Sequence, residues 1–394
     1  MTYLRYLLLA LPLMVYFRWS DPESGWAFLT AALSILPLAG YMGHATEELA
    51  EHVGPKLGGF LNATFGNATE LIIALFALKA GHLEVVKASL IGSIIGNILL
   101  VLGLSVLVGG LMHGVQRFNT ETAKINATTL LLAIIAMLVP SLFMHYHSAV
   151  DGAPVKLSVG VAVILLLVYG AVLYYGFRQT GAGADASHSR KSGLPADPLG
   201  IAAETSGMIA ATTGLPSEYA PALSTPEVAG KGDNPPADSH GAGWSKGKAL
   251  SVLVVSTVAV ALASEVLVGS LEHTVATLGW PEAFIGIILI PIIGNAAEHS
   301  SAVMMAAKNQ IEVATEIAIG SSIQIALFVA PLLVLAGLIF GQPMTMVFNE
   351  FELVAIVLAV WIAKSISKDG ETNWLEGLML LATYGIVATG FAFA

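Results

Sequence analysis

Hydrophobic residues fall in long blocks along the chain, interrupted by short polar breaks. Runs of roughly 17 to 25 apolar residues are long enough to cross a bilayer as helices. They cover approximately residues 3 to 19, 26 to 46, 57 to 80, 86 to 112, 126 to 147, 155 to 177, 247 to 271, 282 to 307, 313 to 340, 350 to 367 and 373 to 393. The pattern predicts an all-α polytopic membrane protein with about eleven transmembrane helices, the last ten grouped as two sets of five.

The predicted units are an N-terminal transmembrane helix over 1–25, a first five-helix repeat over 26–177, a flexible linker over 178–246 and a second five-helix repeat over 247–394. The linker assignment rests on composition, because "GAGADASHSRKSGLPADP" and "STPEVAGKGDNPPADSHGAGW" are rich in Gly, Pro, Ala and Ser. The competing reading there is a partly folded regulatory segment, with a short helix in "LGIAAETSGMIAATTGL". For the first run, "LRYLLLALPLMVYF", the competing reading is a cleaved signal peptide. No small-x-small cleavage site follows it, which favours a retained helix.

Composition agrees with a membrane protein. Of 394 residues, 56% are hydrophobic and only 11% charged, with a mean hydropathy of +0.78. The net charge of −10 does not suggest nucleic-acid binding, and the lack of cysteine excludes disulfides and thiolate metal sites. With the N-terminus and linker in the cytoplasm and the C-terminus opposite, 13 of the 17 Lys and Arg residues lie on cytoplasmic segments. The excess of basic residues inside supports that orientation, and the short loops favour it by seven to four.

Sliding the second half against the first reveals a duplication. From Gly66, "GNATELIIALFALKAGHLEVVKASLIGSIIGNILLVLGLSVLVGG" aligns without gaps to the segment starting at Gly294, with 17 of 45 positions identical at an offset of 228. Gly-Asn-Ala-x-Glu and Ile-Gly-Ser recur at that offset, which shared hydrophobicity would not produce. Five spans per repeat is an odd number, so the halves are inverted. Inverted repeats are a common construction of secondary transporters, with substrate held near the midplane between them.

Each repeat carries a carboxylate inside an apolar block, where an unpaired charge is strongly unfavourable. Residues three and four apart share a helix face, so Asn67 lies beside Glu70 and Asn295 beside Glu298. The next helix offers Ser93 and Asn97 in one repeat, and Ser321 and Gln324 in the other. An all-oxygen cavity with two carboxylates suits a hard divalent cation, Ca²⁺ in particular. The bland alternatives are close packing for Gly92, Ser93, Gly320 and Ser321, and helix capping for the two asparagines. His299, Glu265 and Glu48 are candidates for a proton relay or access path, with Glu47 beside Glu48 and Glu316 facing an entrance. Asp369, Glu371 and Glu376 are expected at a membrane surface, with Trp374 as an interfacial anchor.

"GNATELIIALFAL", "GNAAEH" and "GSSIQIALFVAPLLVL", together with "LGGFLNATFGNATE" and "NWLEG", closely resemble the cation/proton exchanger family of the calcium/cation antiporter superfamily. The resemblance implies a one-plus-five-plus-five architecture and exchange of Ca²⁺ for protons, with Ca²⁺ as transported substrate and no cofactor. It implies that Glu70 and Glu298 are the principal Ca²⁺-binding carboxylates, with ligands around Asn67, Ser93, Asn295 and Ser321. His299 takes the family's histidine position. The linker lacks the dense acidic run of many relatives, so the resemblance carries no regulatory role for it. The expected partners are Ca²⁺, H⁺ and the lipid bilayer of a prokaryotic inner membrane; no oligomeric state is implied. A Na⁺/Ca²⁺ exchanger and a Na⁺ or K⁺/H⁺ antiporter are the nearest alternatives, and a passive cation channel is the alternative from another class. "AEHS" lacks the H-E-x-x-H spacing of a zinc hydrolase, so no enzymatic activity is expected.

Overall fold

The structure, a computed structural model, describes residues 4–146, 152–189, 243–366 and 368–393. It is an all-α membrane fold. A short apolar helix, α1 (Tyr6–Ser20), precedes α2 (Gly25–Val53), α3 (Pro55–Phe65), α4 (Ala68–Ala80), α5 (Leu83–His113), α6 (Thr120–Tyr146) and α7 (Ala153–Ser189). The second half contains α8 (Lys246–Gly269), α9 (Leu271–Leu278), α10 (Glu282–Gly294), α11 (Ala296–Ala307), α12 (Ile311–Phe340), α13 (Glu350–Ile366) and α14 (Trp374–Ala392).

Among the described residues, seven helices are long and apolar enough to cross a membrane, or eight if α9 and α10, bent by 116°, form one span. The expected count of about eleven is not reached by that criterion. The missing members have identifiable causes: α1 and α13 are short, and the run at 57 to 80 is broken into α3 and α4. The run at 282 to 307 is likewise broken into α10 and α11. The same polar Gly-Asn pair sits at each break.

Helix α7 continues to Ser189, past the predicted linker start at 178. No proline interrupts that stretch before Pro195, so nothing in it blocks helical hydrogen bonding. Most of the predicted linker lies outside the described residues.

A large apolar core joins α4 and α5 to α12 through fully buried residues such as Leu78, Ile91, Ile98 and Leu327. A second cluster packs α1 against α2 and α8, around Met14, Ala31, Ile35 and Ala263. The segments after α5 and before α14 are joined by two short antiparallel strands, β1 (Gln116–Arg117) and β2 (Glu371–Thr372). Their register pairs Gln116 with Thr372 and Arg117 with Glu371, and an Arg117–Glu371 ion pair of 2.9 Å reinforces it. Gln116 also donates to Asn309 Oδ1 at 2.9 Å, tying this staple to the α11–α12 turn.

Candidate cation-binding site

The two broken spans meet at their breaks. Asn67 has φ −99° and ψ 22°, and Asn295 has φ −100° and ψ 7°. Both therefore occupy the sparsely populated bridge region of backbone space, and each repeat interrupts its helix in the same way. Neither asparagine side chain caps the following helix, which removes capping as their role. Both are free to bond across the repeats.

They do so reciprocally. Ser321 Oγ donates to Asn67 Oδ1 at 2.9 Å, and Asn295 Nδ2 donates to Ser93 Oγ at 3.2 Å. Under the offset of 228, Asn67 corresponds to Asn295 and Ser93 to Ser321. Each contact is thus the image of the other under an approximate two-fold axis. Both serines are buried, and these bonds give them more than a packing role.

The carboxylates stand in this frame. Glu70 lies in the first turn of α4 and Glu298 in the first turn of α11, where the positive end of the helix dipole favours negative charge. Asn295 Nδ2 also donates to Glu70 Oε1, and Glu298 Oε2 is the alternative acceptor for the single hydroxyl proton of Ser321. Glu70 is buried, and its Oε2 has no hydrogen-bond partner among the described residues. Gln324 Oε1 accepts from Asn67 Nδ2 at 2.6 Å, and His299 Nε2 lies 3.3 Å from Asn97 Oδ1. No three His, Asp or Glu side chains are placed to hold a metal ion together among the described residues, so a cation held here would take its further oxygens from amides, hydroxyls or backbone carbonyls.

The motif glycines bring each half against the other's acid. A Cβ on Gly294 would lie 2.8 Å from Glu70 Cγ, and one on Gly66 would lie 3.5 Å from Glu298 Oε1. Gly294→Ala is therefore expected to displace Glu70. Overpacking of this kind costs about 1–3 kcal/mol, which, where it falls on the Ca²⁺-bound state, corresponds to roughly 5- to 150-fold weaker Ca²⁺ binding. Calorimetric titration of the purified variant checks it, and wild-type affinity would rule out the close approach.

A cavity of about 380 Å³ reaches Glu298, Ser321 and Gln324. Its walls are the later part of α2, the end of α3, α11 and the start of α12. These segments lie toward the face where α8 begins, here termed the linker face. Glu70 lines a separate small void instead. Toward the opposite face, α5 and α10 are in close contact, because a Cβ on Gly92 would overlap the Ile287 carbonyl. The two-fold counterpart of Gly92 is Gly320, which lines the open cavity with nothing within 4 Å of a notional Cβ. The site opens toward the linker face, while α5 and α10 pack tightly against each other on the other side.

The structure thus brings Glu70, Asn295 and Ser93 together, and Glu298, Ser321, Asn67 and Gln324 together, with Asn97 and His299 alongside. The access-path candidates separate. Glu47 and Glu316 line the cavity, whereas Glu48 accepts the backbone N–H of Trp244 at 2.7 Å. Glu265 is away from the site, in an ion pair with Arg18. Sequence reasoning missed His44, which lines the cavity 3.8 Å from Glu47; its place three residues before Glu47 on a helix was the available signal. It also missed the π-helical turns at Gly96–Val101 and Ile325–Val329. Such wider turns often occur at functional sites, and these two fall at corresponding positions of the repeats.

Comparison with known proteins agrees with the geometry. The family described as "Sodium/calcium exchanger protein" matches residues 23–178 and 248–393. A Ca²⁺/H⁺ antiporter of Aphanothece halophytica is 44% identical over 388 residues, covering 98% of this chain and 95% of the relative. A Ca²⁺/H⁺ antiporter of Synechocystis sp. is 43% identical over 391 residues, covering 98% and 96%. Among solved structures, native YfkE superimposes with a TM-score of 0.76 at 38% identity, over 99% of this chain and 100% of that one. The chain belongs to the sodium/calcium exchanger protein family and, within it, to the cation/proton exchangers.

Proposed function

We propose that this membrane protein is a secondary antiporter that exchanges Ca²⁺ for H⁺, with Glu70 and Glu298 binding either one Ca²⁺ or protons. The observation that carries this reading is the reciprocal cross-repeat bonding, which sets two carboxylates from opposite halves in one frame, Glu298 at the inner end of the cavity on the linker face and Glu70 on a small void of its own. Asn67, Asn295, Ser93 and Ser321 supply neutral oxygens beside them, as a flexible Ca²⁺ shell requires. Relatives of similar length are named Ca²⁺/H⁺ antiporters, which supports the same pair of ions. We place the N-terminus and the linker in the cytoplasm, so that the present conformation faces inward.

Exchange follows from charge compensation. An empty site carries two buried negative charges, and occluding it without a counter-charge is expensive. Ca²⁺ neutralises both carboxylates, and so do two protons; either loaded form can pass through the occluded state. The switch itself would exchange the contacts of the two halves: the seal at Gly92 opens while the corresponding surface at Gly320 closes.

The test is uptake of radioactive Ca²⁺ into proteoliposomes free of sodium. A pH gradient alone is expected to drive accumulation above the external concentration, and a protonophore to abolish it. A requirement for sodium would overturn proton coupling in favour of sodium exchange. Flux that only dissipates the Ca²⁺ gradient would identify a channel.

A further inference from the structure

The approaches to the site differ in charge between the two faces. Ala45-Thr46-Glu47-Glu48-Leu49 of α2 has a counterpart in Ala263-Ser264-Glu265-Val266-Leu267 of α8. Their local structures match. Ala45 and Ala263 are fully buried, and the Thr46 and Ser264 hydroxyls donate to the carbonyls four residues back at 2.8 and 2.7 Å. Glu47 and Glu265 are therefore equivalents under the two-fold relation. Glu47 is exposed on the open cavity of the linker face; by the same relation, Glu265 belongs to the approach from the opposite face.

Glu265, however, is not free. Arg18 Nη2 donates to its Oε2 at 2.9 Å. Arg18 lies on α1, which precedes the two repeats, and α1 is fixed there by Met14 and Phe17 packing with Ala31, Ile35 and Ala263. The other vestibule acid shows the same bias. Glu316 lines the open cavity, while its counterpart at the offset of 228 is Ala88, which packs beside Gly286. His44 stands 3.8 Å from Glu47 on the linker face, and when protonated it offsets part of that charge, but Glu316 remains.

We infer that Arg18 makes the two faces of the exchanger unequal, as a resident counter-charge that weakens Ca²⁺ capture by the approach opposite the linker face. The inference rests on the two-glutamate exchange reading and adds an asymmetry to it. An uncompensated carboxylate at a vestibule raises the local concentration of divalent cations and their rate of arrival. The linker face keeps such carboxylates and loads Ca²⁺ readily; the opposite face has its own neutralised by Arg18 and lets Ca²⁺ go. Arg18 acts through Glu265 and is a positioning residue rather than a ligand.

The experiment measures the apparent KM for Ca²⁺ at each face, in proteoliposomes of uniform orientation. A unit charge acting on a divalent ion at about 10 Å through water changes affinity roughly three- to fivefold. Arg18→Gln is expected to lower KM at the face opposite the linker by that factor, leaving KM at the linker face and the maximal rate unchanged. Glu265→Gln is expected to raise the same KM, since Arg18 is then uncompensated. Arg18→Lys should retain the wild-type value, and high salt should shrink both shifts. A purely structural clasp would make Arg18→Gln and Glu265→Gln alike, so shifts of the same sign, equal effects on both faces or no shift would overturn the inference. If Arg18→Gln fails to fold, the rise in KM of Glu265→Gln still decides it. Wild-type vesicles distinguish the two levels: active wild-type exchange without the asymmetry rejects only the role of Arg18, whereas no Ca²⁺/H⁺ exchange rejects the underlying reading as well.

Discussion

Glu70→Gln and Glu298→Gln are each expected to abolish Ca²⁺/H⁺ exchange while leaving the protein folded in the membrane. Glutamine keeps the volume of the side chain and an oxygen that can accept from Asn295 or Ser321, the partners of these two acids. It removes the charge that attracts Ca²⁺ and the group that takes up a proton. Loss of one partner of a buried charge pair costs on the order of 3–5 kcal/mol, so Ca²⁺ affinity should fall at least about 100-fold. Asn67→Ala and Asn295→Ala remove a neutral amide, with its oxygen and its donor to Gln324 or Glu70, but no charge, and should lower affinity less. Exchange in proteoliposomes, with melting and monodispersity of each variant as the control for folding, checks this. Near-normal exchange by either well-folded glutamine variant would contradict the two-carboxylate mechanism.

The affinity of the purified protein for Ca²⁺ should also fall steeply with pH. Where a carboxyl in the empty site is mainly protonated, its proton must leave before Ca²⁺ binds, at a cost of about 1.4 kcal/mol per proton for each pH unit. The sign is fixed: affinity is full above the pKa of the empty site and lost as pH falls through it. With both acids protonated the fall reaches about 100-fold per unit, and with one about tenfold. Glu298→Gln should halve the slope, whereas Asn295→Ala should weaken binding at every pH and keep the slope. Titrations at several pH values with the ionic strength held constant measure it. An affinity independent of pH would place proton coupling at other groups.

Much of this site was legible in the sequence because the repeat marks equivalent positions. Gly-Asn-Ala-x-Glu at Gly66 and Gly294, and Gly-Ser at Gly92 and Gly320, identified residues that the fold assembles from opposite halves. Spacing along a helix placed Asn67 near Glu70, but the contacts of Asn295 and Ser321 with carboxylates could not be paired that way: Asn295 bonds the acid of the other repeat, while Ser321 bonds that of its own. That pairing depends on how the broken spans cross. The number of spans was less legible, since apolar length does not show that α3 and α4, or α10 and α11, are separate helices. Glu47 and Glu48 were both read as access-path candidates from "HATEELAEH", and of the two Glu47 lines the cavity. Adjacent helical residues point about 100° apart, and the packing of α2 decides which one is wetted.

The most direct test of shared carboxylates is the number of protons released when Ca²⁺ binds. Isothermal calorimetry of the purified protein in buffers of different ionisation enthalpy gives that number without requiring transport. Competition at Glu70 and Glu298 predicts proton release that grows as pH is lowered through the titration of the empty site, approaching two per Ca²⁺, and about one in Glu298→Gln wherever binding remains measurable. Tight Ca²⁺ binding with no proton release between about pH 5 and 8, a range spanning perturbed carboxylates, would contradict it.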